Sequence, residues 1–431
     1  MSRARIAYIL TAFPTVSETF VEGEFRALAR RGLSLDLYAT RNFQEIAPGD
    51  EPATSTGLHV ERSPYLWSAE IPRAFFYFLS RRPARTLGTL AKILIGNARS
   101  PRYLSHALAL FPKCLVFARL MERRGTSHVH GTWAHYPATV AYVTSRILGI
   151  SYSFAGHAGL DVLSDRTFLA TKLRSARFVL TCHHSTRRSL ERLVPGASPK
   201  IHTVYHGVAL SEVPRPGEAP KADPPEIVSV GRLTPEKGFL YLLQACALLR
   251  QRGVVYRARI FGQGPQRAAL QREIDRLGLQ DTIALEGVVP HSRILDVLAR
   301  ATVVTLPSYL PPNFFQDGIA NVLVEAMACG TPVVSTDYDG SRELLEGGKS
   351  GILVPEKDAR SLEAALAEIL GDSARRSELS RLGRARVERE FNREENVTRI
   401  LELFRPLTSE DSPASPEGSS ARGRRADLEV G

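Results

Sequence analysis

Long apolar runs are missing from this sequence. Nowhere do about eighteen uncharged apolar residues follow one another, so no transmembrane helix is expected. Cysteine is scarce and scattered: Cys114, Cys182, Cys246 and Cys329 form no Cys-x-x-Cys pair. That spacing excludes a zinc knuckle and a disulfide framework and fits a reduced, cytoplasmic compartment. The N-terminus supplies Arg3 and Arg5 but too short an apolar run, and no cleavage site, for a secretory leader. Arg5–Leu10 therefore reads as a first buried strand. Acid is also in deficit, with 45 Asp and Glu against 56 Lys and Arg and a formal net charge of +11. Such a surplus suits a phosphorylated substrate, an anionic membrane face or nucleic acid, and charge alone does not choose among them.

The 431 residues, 43% of them hydrophobic, are enough for two or three packed domains. The second half alternates legibly. Strands are expected at Glu226–Gly231, Tyr256–Gly262, Thr282–Gly287, Thr302–Pro307, Pro332–Thr336 and Gly351–Val354. Helices are expected between them at Gly238–Arg250, Pro265–Leu277, Ser292–Ala301 and Ile319–Cys329. Alternation of this kind gives a parallel sheet wound with helices on both faces, and ligands bind beyond the carboxyl ends of its strands. The first half repeats the theme, with strands at Arg5–Leu10, Ser34–Tyr38, His128–His130, Ser151–Phe154 and Phe178–Cys182. The expected division is an N-terminal doubly wound domain (1–212), a Pro-rich linker (213–225) and a second doubly wound domain (226–385). A C-terminal helix at 386–406 packs back on the first domain, and a tail at 407–431, rich in Ser, Pro, Gly and charge, is disordered.

Four stretches could carry chemistry. In Gln316–Gly340, Asp317 and Glu325 stand eight positions apart across a helix start. Eight residues rise roughly 12 Å, which lets the two carboxylates serve either end of an extended ligand. The helix N-terminus between them, with Gly318 and Ile319, offers free N–H groups to a diphosphate. The plainer alternative is an Asp favouring the helix dipole beside an exposed Glu. In Gly231–Phe239 (GRLTPEKGF), Arg232 and Lys237 fall at the carboxyl end of a strand, where cations would stabilise a diphosphate leaving group. The alternative is two solvated charges, although Lys at a helix start opposes the dipole. The turn Phe261–Pro265 (FGQGP), which includes Gly264, lacks the third glycine of a dinucleotide fingerprint and is weak as a motif. His157 follows a strand and falls at its carboxyl end, where it would reach a donor sugar or pack in the core.

Other candidates are bland. His128 and His130 alternate on a strand without a third metal ligand at a suitable spacing. Asp337-Tyr338-Asp339 matches a metal-binding D-x-D but has the composition of a turn. The segment 71–124 interleaves aromatic and basic residues, open to nucleic acid, to a membrane surface, or to a domain core with a solvated basic face.

The order GRLTPEKG, FGQGP, LEGVV, DGIANVLVEAMACGTPVVST resembles the retaining glycosyltransferases of family 4. The stretches FPTVSETFVEGEFRAL, HVHGTW and SFAGHAGLDV resemble their exopolysaccharide, colanic-acid-type branch. The resemblance implies an α/β GT-B fold, two Rossmann-like doubly wound domains facing a cleft. It implies a hexosyltransferase-type enzyme that takes sugar from a UDP- or GDP-sugar donor to a glycan or lipid-linked acceptor in extracellular or capsular polysaccharide synthesis. Residue by residue it implies that Arg232 and Lys237 hold the diphosphate, with Gly231, Gly264, Gly318 and Ile319 around the donor. Glu325 takes the ribose hydroxyls, His157 contacts the donor sugar, and Asp317 stands where the family has the first Glu of a Glu-x7-Glu pair. It implies no metal, no other cofactor and no nucleic-acid partner. The expected location is the cytoplasm at the inner face of the membrane, in peripheral contact with anionic lipid. The alternative from a different class is a non-catalytic scaffold of the same fold in a polysaccharide assembly complex.

Overall fold

Five consecutive aliphatic or aromatic side chains, Ile6 to Leu10, follow the exposed Arg5 and keep no contact with solvent. A strand that is apolar on both faces belongs inside a parallel sheet covered by helices on each side. The computed structural model describes residues 5–13, 19–41, 60–63, 68–157, 166–310 and 318–408. The segment around Thr15–Ser17, Asp317 and the tail from residue 409 onward lie outside the described residues.

In the first domain β1 (Arg5–Leu10) lies between β2 (Ser34–Ala39) and β4 (Thr126–Gly131), parallel to both. With β3 (Val60–Arg62), β5 (Ser151–Gly156), β6 (Val179–Thr181) and β7 (Ile201–Thr203), the described strands run in the order β3-β2-β1-β4-β5-β6-β7. The helices are α1 (Thr19–Arg30), α2 (Glu70–Arg81), α3 (Pro83–Asn97), α4 (Pro101–Arg124), α5 (Tyr136–Leu148), α6 (Arg166–Ser175) and α7 (His184–Leu193). The second domain carries β8 (Glu226–Val230), β9 (Arg257–Phe261), β10 (Ile283–Gly287), β11 (Val303–Leu306), β12 (Val333–Thr336) and β13 (Ile352–Val354). They form a parallel sheet in the order β10-β9-β8-β11-β12-β13. Its helices are α8 (Phe239–Gln251), α9 (Arg267–Arg276), α10 (His291–Arg300), α11 (Asn321–Ala328), α12 (Asp339–Leu344), α13 (Ala359–Gly371) and α14 (Ser373–Glu390). The order of each sheet reverses beside its first strand, the arrangement that opens a crevice at the carboxyl edge.

The last helix, α15 (Arg393–Thr408), leaves the second domain and covers one face of the first sheet. Val397, Ile400, Phe404 and Leu407 pack with Ile6, Tyr8, Phe25 and Phe178. Arg31 pairs with Glu394 at 2.7 Å. Phe404 is fully buried, with ring centroids 5.4 Å from Phe178 and 6.1 Å from Tyr8. Phe404→Ala should therefore cost about 3–5 kcal/mol of stability, read by urea unfolding.

Three differences from the sequence reading have physical reasons. Helix α11 begins at Asn321, so Ile319 precedes it, half-buried against the core. The D-x-D stretch is not a turn: Asp339 opens α12, and Gly340 is helical and buried. The segment 71–124 is three helices, and α4 is long and apolar enough to cross a bilayer. However, 56% of its apolar window is buried in this domain, and its Lys113 ammonium donates to the Thr40 carbonyl at 2.8 Å.

Candidate active site

In each domain, the loops that follow the strands carry polar groups to one side, and these two sides meet. At the carboxyl end of β5 sits His157, only 8% exposed. Its Nε2–H donates to the Thr132 carbonyl at 2.6 Å, since a carbonyl can only accept. Nδ1 is then an acceptor, and His206, after β7, donates to it from Nε2 at 2.9 Å. Burial pushes His157 down to about 4, with the Thr132 carbonyl opposing that shift. His206 is driven well below the usual imidazole range by burial and by its neighbour His157. Both rings are therefore neutral at pH 7. The Trp133 edge meets His157 at 4.6 Å and stacks on His135 at 5.9 Å. The Cys182 thiol, after β6, donates to the His157 carbonyl at 2.7 Å. Ligand atoms of His157, Cys182 and His206 lie within 4.8 Å of one another, and the two imidazoles hydrogen-bond to each other there.

The second domain closes on this floor. A Cβ added to Gly318 would lie 3.3 Å from the His157 carbonyl oxygen and 3.3 Å from the His183 ring, so glycine permits the approach. Behind it the Gly318 carbonyl rests against Gly340 at the start of α12. One turn further, Glu343 ties the domains together. Its carboxylate accepts from the His184 N–H at 2.9 and 3.0 Å and from the Tyr205 hydroxyl at 2.7 Å.

Gly231 ends β8, and the loop after it is clamped to the turn after β9. The Leu233 N–H donates to the Gln263 carbonyl at 2.9 Å, and the Gln266 N–H donates to the Leu233 carbonyl at 3.0 Å. Gly262, at φ 131°, has room only for hydrogen: a Cβ would sit 1.9 Å from the Gly231 oxygen. A Cβ on Gly264 would sit 2.5 Å from the Leu233 oxygen. This close packing holds Arg232 and Lys237 at the sheet edge. The Arg232 side chain is 68% exposed and lies 3.6 Å from Glu236. Lys237 closes the short 3-10 turn Pro235–Lys237, whose Glu236 carbonyl accepts from the Tyr309 N–H beyond β11 at 2.9 Å. Beside it the buried Ser308 hydroxyl has no partner among the described residues.

Helix α11 follows Gly318 and Ile319 with Ala320 as its cap, and among the described residues no side chain caps its first N–H groups. Its free amides and dipole are thus open to an anion. Glu325 lies in its second turn, its side chain 12% exposed, and accepts from His291 Nε2 at 2.9 Å. Asp317 itself is outside the described residues.

The remaining candidates have partners within the protein. Asp337 makes a fork with Arg342 at 2.8 and 2.7 Å. His128 bonds Ser151 and Ser153, and His130 bonds Ser153, both fully enclosed under Phe178 and Phe404. Sequence reasoning missed His206, Trp133, His291 and Glu343. A signal existed for three of them: Trp133, His206 and His291 each stand just beyond a strand's carboxyl end, where the fold puts ligands.

Two Rossmann-like domains that turn the carboxyl edges of parallel sheets toward one gap, with cations and an uncapped helix tip on the second, define a glycosyltransferase of the GT-B fold. The family model for glycosyl transferases group 1 matches residues 212–386. Over 433 residues the chain is 41% identical to WcaL of Escherichia coli (strain K12), named as a colanic acid biosynthesis glycosyltransferase, covering 94% of this chain and 100% of that one. It is 36% identical over 184 residues to the amylovoran biosynthesis glycosyltransferase AmsK of Erwinia amylovora, 43% of this chain and 45% of that one. The structure of HepE from Anabaena in complex with UDP-glucose superposes with a TM-score of 0.66 at 18% identity, covering 93% of this chain and 99% of that one. The chain belongs to the group 1 glycosyltransferases.

Proposed function

We propose that this enzyme transfers a sugar from a UDP- or GDP-sugar to a glycan or lipid-linked acceptor in exopolysaccharide assembly, as a retaining enzyme of family 4. The observation that carries this reading is the meeting of Gly318, ahead of the uncapped α11, with His157 across the gap, beside the Arg232–Lys237 loop. In this reading Arg232, Lys237 and the α11 amides take the diphosphate and the charge that collects on it as the glycosidic bond breaks. Glu325 exchanges His291 for the ribose hydroxyls, and Asp317 takes hydroxyls of the donor sugar. Gly231 and Gly264 keep the loops low enough for the nucleotide to lie across them. Both ring nitrogens of His157 are engaged inside the first domain and its carbonyl accepts from Cys182, so in this reading it meets the sugar through its ring edge. The acceptor attacks on the face the leaving group departs from, and the departing diphosphate takes the acceptor proton. No metal is required, because fixed cations and amide dipoles supply the positive field. The names of WcaL, AmsK and HepE's ligand support the process and the donor class. The four buried cysteines, all free thiols, suit the cytoplasm, with the acceptor presented at the inner membrane face.

A thermal-shift series with UDP, GDP and their sugars tests the reading. One nucleotide diphosphate and its sugar should raise the melting temperature, and transfer should continue in excess chelator. If no nucleotide shifts the transition, the donor assignment fails. Strict dependence on added metal would overturn the metal-free mechanism.

A further inference from the structure

Helix α3 turns much of its apolar surface outward. Beside Ile93 its buried positions are the polar Thr86, Thr89 and Asn97, each 1–2% exposed, whereas Leu87, Leu94 and Ile95 are 51, 39 and 77% exposed. A helix on a protein surface normally does the reverse. The inward polar groups are partly met by the helix itself: the Thr86 hydroxyl donates to the Arg82 carbonyl and the Asn97 amide to Ile93. At 100° per residue, Leu87, Ala91, Leu94 and Ile95 fall within roughly a 100° arc, and Lys92 and Arg99 fall along one flank of it, while Arg85 donates to the Leu148 carbonyl at 3.3 Å. From residue 81 to 102 the chain has six cations and no carboxylate. Five of the eight large apolar side chains exposed among the described residues lie on α2, α3 and α4, Phe76 and Leu108 joining the three of α3.

The helix also has a direction. Its first turn lies at the far end of α5, where Arg82 donates to the Ile147 and Leu148 carbonyls. Its last turn lies at the cleft side: Gly96 abuts Phe168 in the first turn of α6, the helix that follows β5. The next helix begins there too, with His106 hydrogen-bonded to Tyr136 at the start of α5 at 2.6 Å. The exposed stripe therefore ends at the cleft rim.

We propose that α3 is an interfacial docking helix that lies on an anionic bilayer, its Leu87–Ile95 stripe among the acyl chains and its basic flank among the headgroups. Apolar stripe and cationic flank together are the chemistry of such a surface. A second copy of the chain would set the exposed Lys92 and Arg99 against their own kind, although Arg82 behind them is paired with Glu122. The burial of α4 keeps the contact peripheral. Docked this way, the enzyme holds the first domain's cleft rim against the membrane, so a lipid-linked acceptor reaches the gap without leaving the bilayer. The proposal rests on the membrane-borne acceptor of the functional reading and adds the surface that meets it.

The test is co-sedimentation with vesicles of phosphatidylcholine containing about 30% phosphatidylglycerol, against pure phosphatidylcholine. Binding should be at least about tenfold stronger to the anionic vesicles and fall about tenfold in Leu94→Glu/Ile95→Glu. The charge variant Lys92→Glu/Arg99→Glu should weaken it likewise while the melting temperature stays unchanged. Equal binding by all variants overturns the proposal. So does a wild-type dimer in solution that the Glu variant splits, which would make this face a contact between copies. Nucleotide-induced thermal shifts measured on the same samples separate the two readings: a lost nucleotide response with retained vesicle binding sinks the donor assignment and leaves the docking surface standing.

Discussion

Lys237→Ala should lower kcat for sugar transfer by about 10²–10³-fold and leave the melting temperature of the free enzyme nearly unchanged. On the proposed mechanism the loss is large because a fixed cation acts on charge that appears only as the donor bond breaks. The fold should survive because Lys237 ends a half-buried three-residue turn rather than filling a core. The clamp that shapes the loop is made of backbone bonds from Leu233 to Gln263 and from Gln266 to Leu233, which the substitution leaves alone. The measurement is steady-state transfer beside thermal unfolding. Turnover at the wild-type rate would remove the Arg232–Lys237 loop from the site.

Acid should unfold the protein early. His128, His130 and His157 are each at most 8% exposed. Burial drives His128 well below its usual range, His130 down to about 3 and His157 down to about 4. All three are neutral when folded, while in the unfolded chain each takes a proton near pH 6.5. The unfolded state therefore binds more protons below that pH, and the stability these groups contribute is present above about 6.5 and lost as pH falls toward 4 and then 3. Each histidine adds a slope of about 1.4 kcal/mol per pH unit, so three give about 4 kcal/mol per unit, comparable to the whole stability of an ordinary domain within two units. Glu24 works the other way. Burial raises it to about 7, so its contribution is complete below its unfolded value near 4.5 and fades as pH rises to about 7. Burial raises Glu226 as well, but it also lowers His135, His183, His202 and His206 beside the three named, so the imidazoles outnumber the carboxyls and the net direction holds. The urea midpoint should fall steeply from pH 7 to pH 5; a flat profile would show that the histidines are hydrated.

Much of this was legible because the second domain is built from local signals. Apolar runs such as EIVSV and VVTL read as buried parallel strands, and the glycines at the ends of β8, β9 and β10 (Gly231, Gly262 and Gly287) mark where the ligand edge lies. The Arg232–Lys237 loop and the start of α11 were found that way, and the structure brings Gly318 to His157 across the gap. What escaped was non-local. His206 meets His157 from 49 positions away, and no periodicity encodes that pair. Glu343 looks like any solvated helix residue until the first domain supplies the His184 N–H. Asp337 resembles a metal ligand until Arg342, five residues on, occupies its fork. In 71–124 the apolar and basic residues were visible, but which of them face outward depended on α4 claiming the inner side.

The chain crosses between its halves twice, and the crossings touch. Val208 donates to the Phe391 carbonyl and accepts from the Arg393 N–H, joining the outgoing strand to the returning one just before α15. Two covalent tethers bound at a single place hold the halves together there, a tie separate from the one Glu343 makes to His184 and Tyr205. Cutting the chain after residue 386 would do more than shorten it, because the front half would lose the lid over its own sheet.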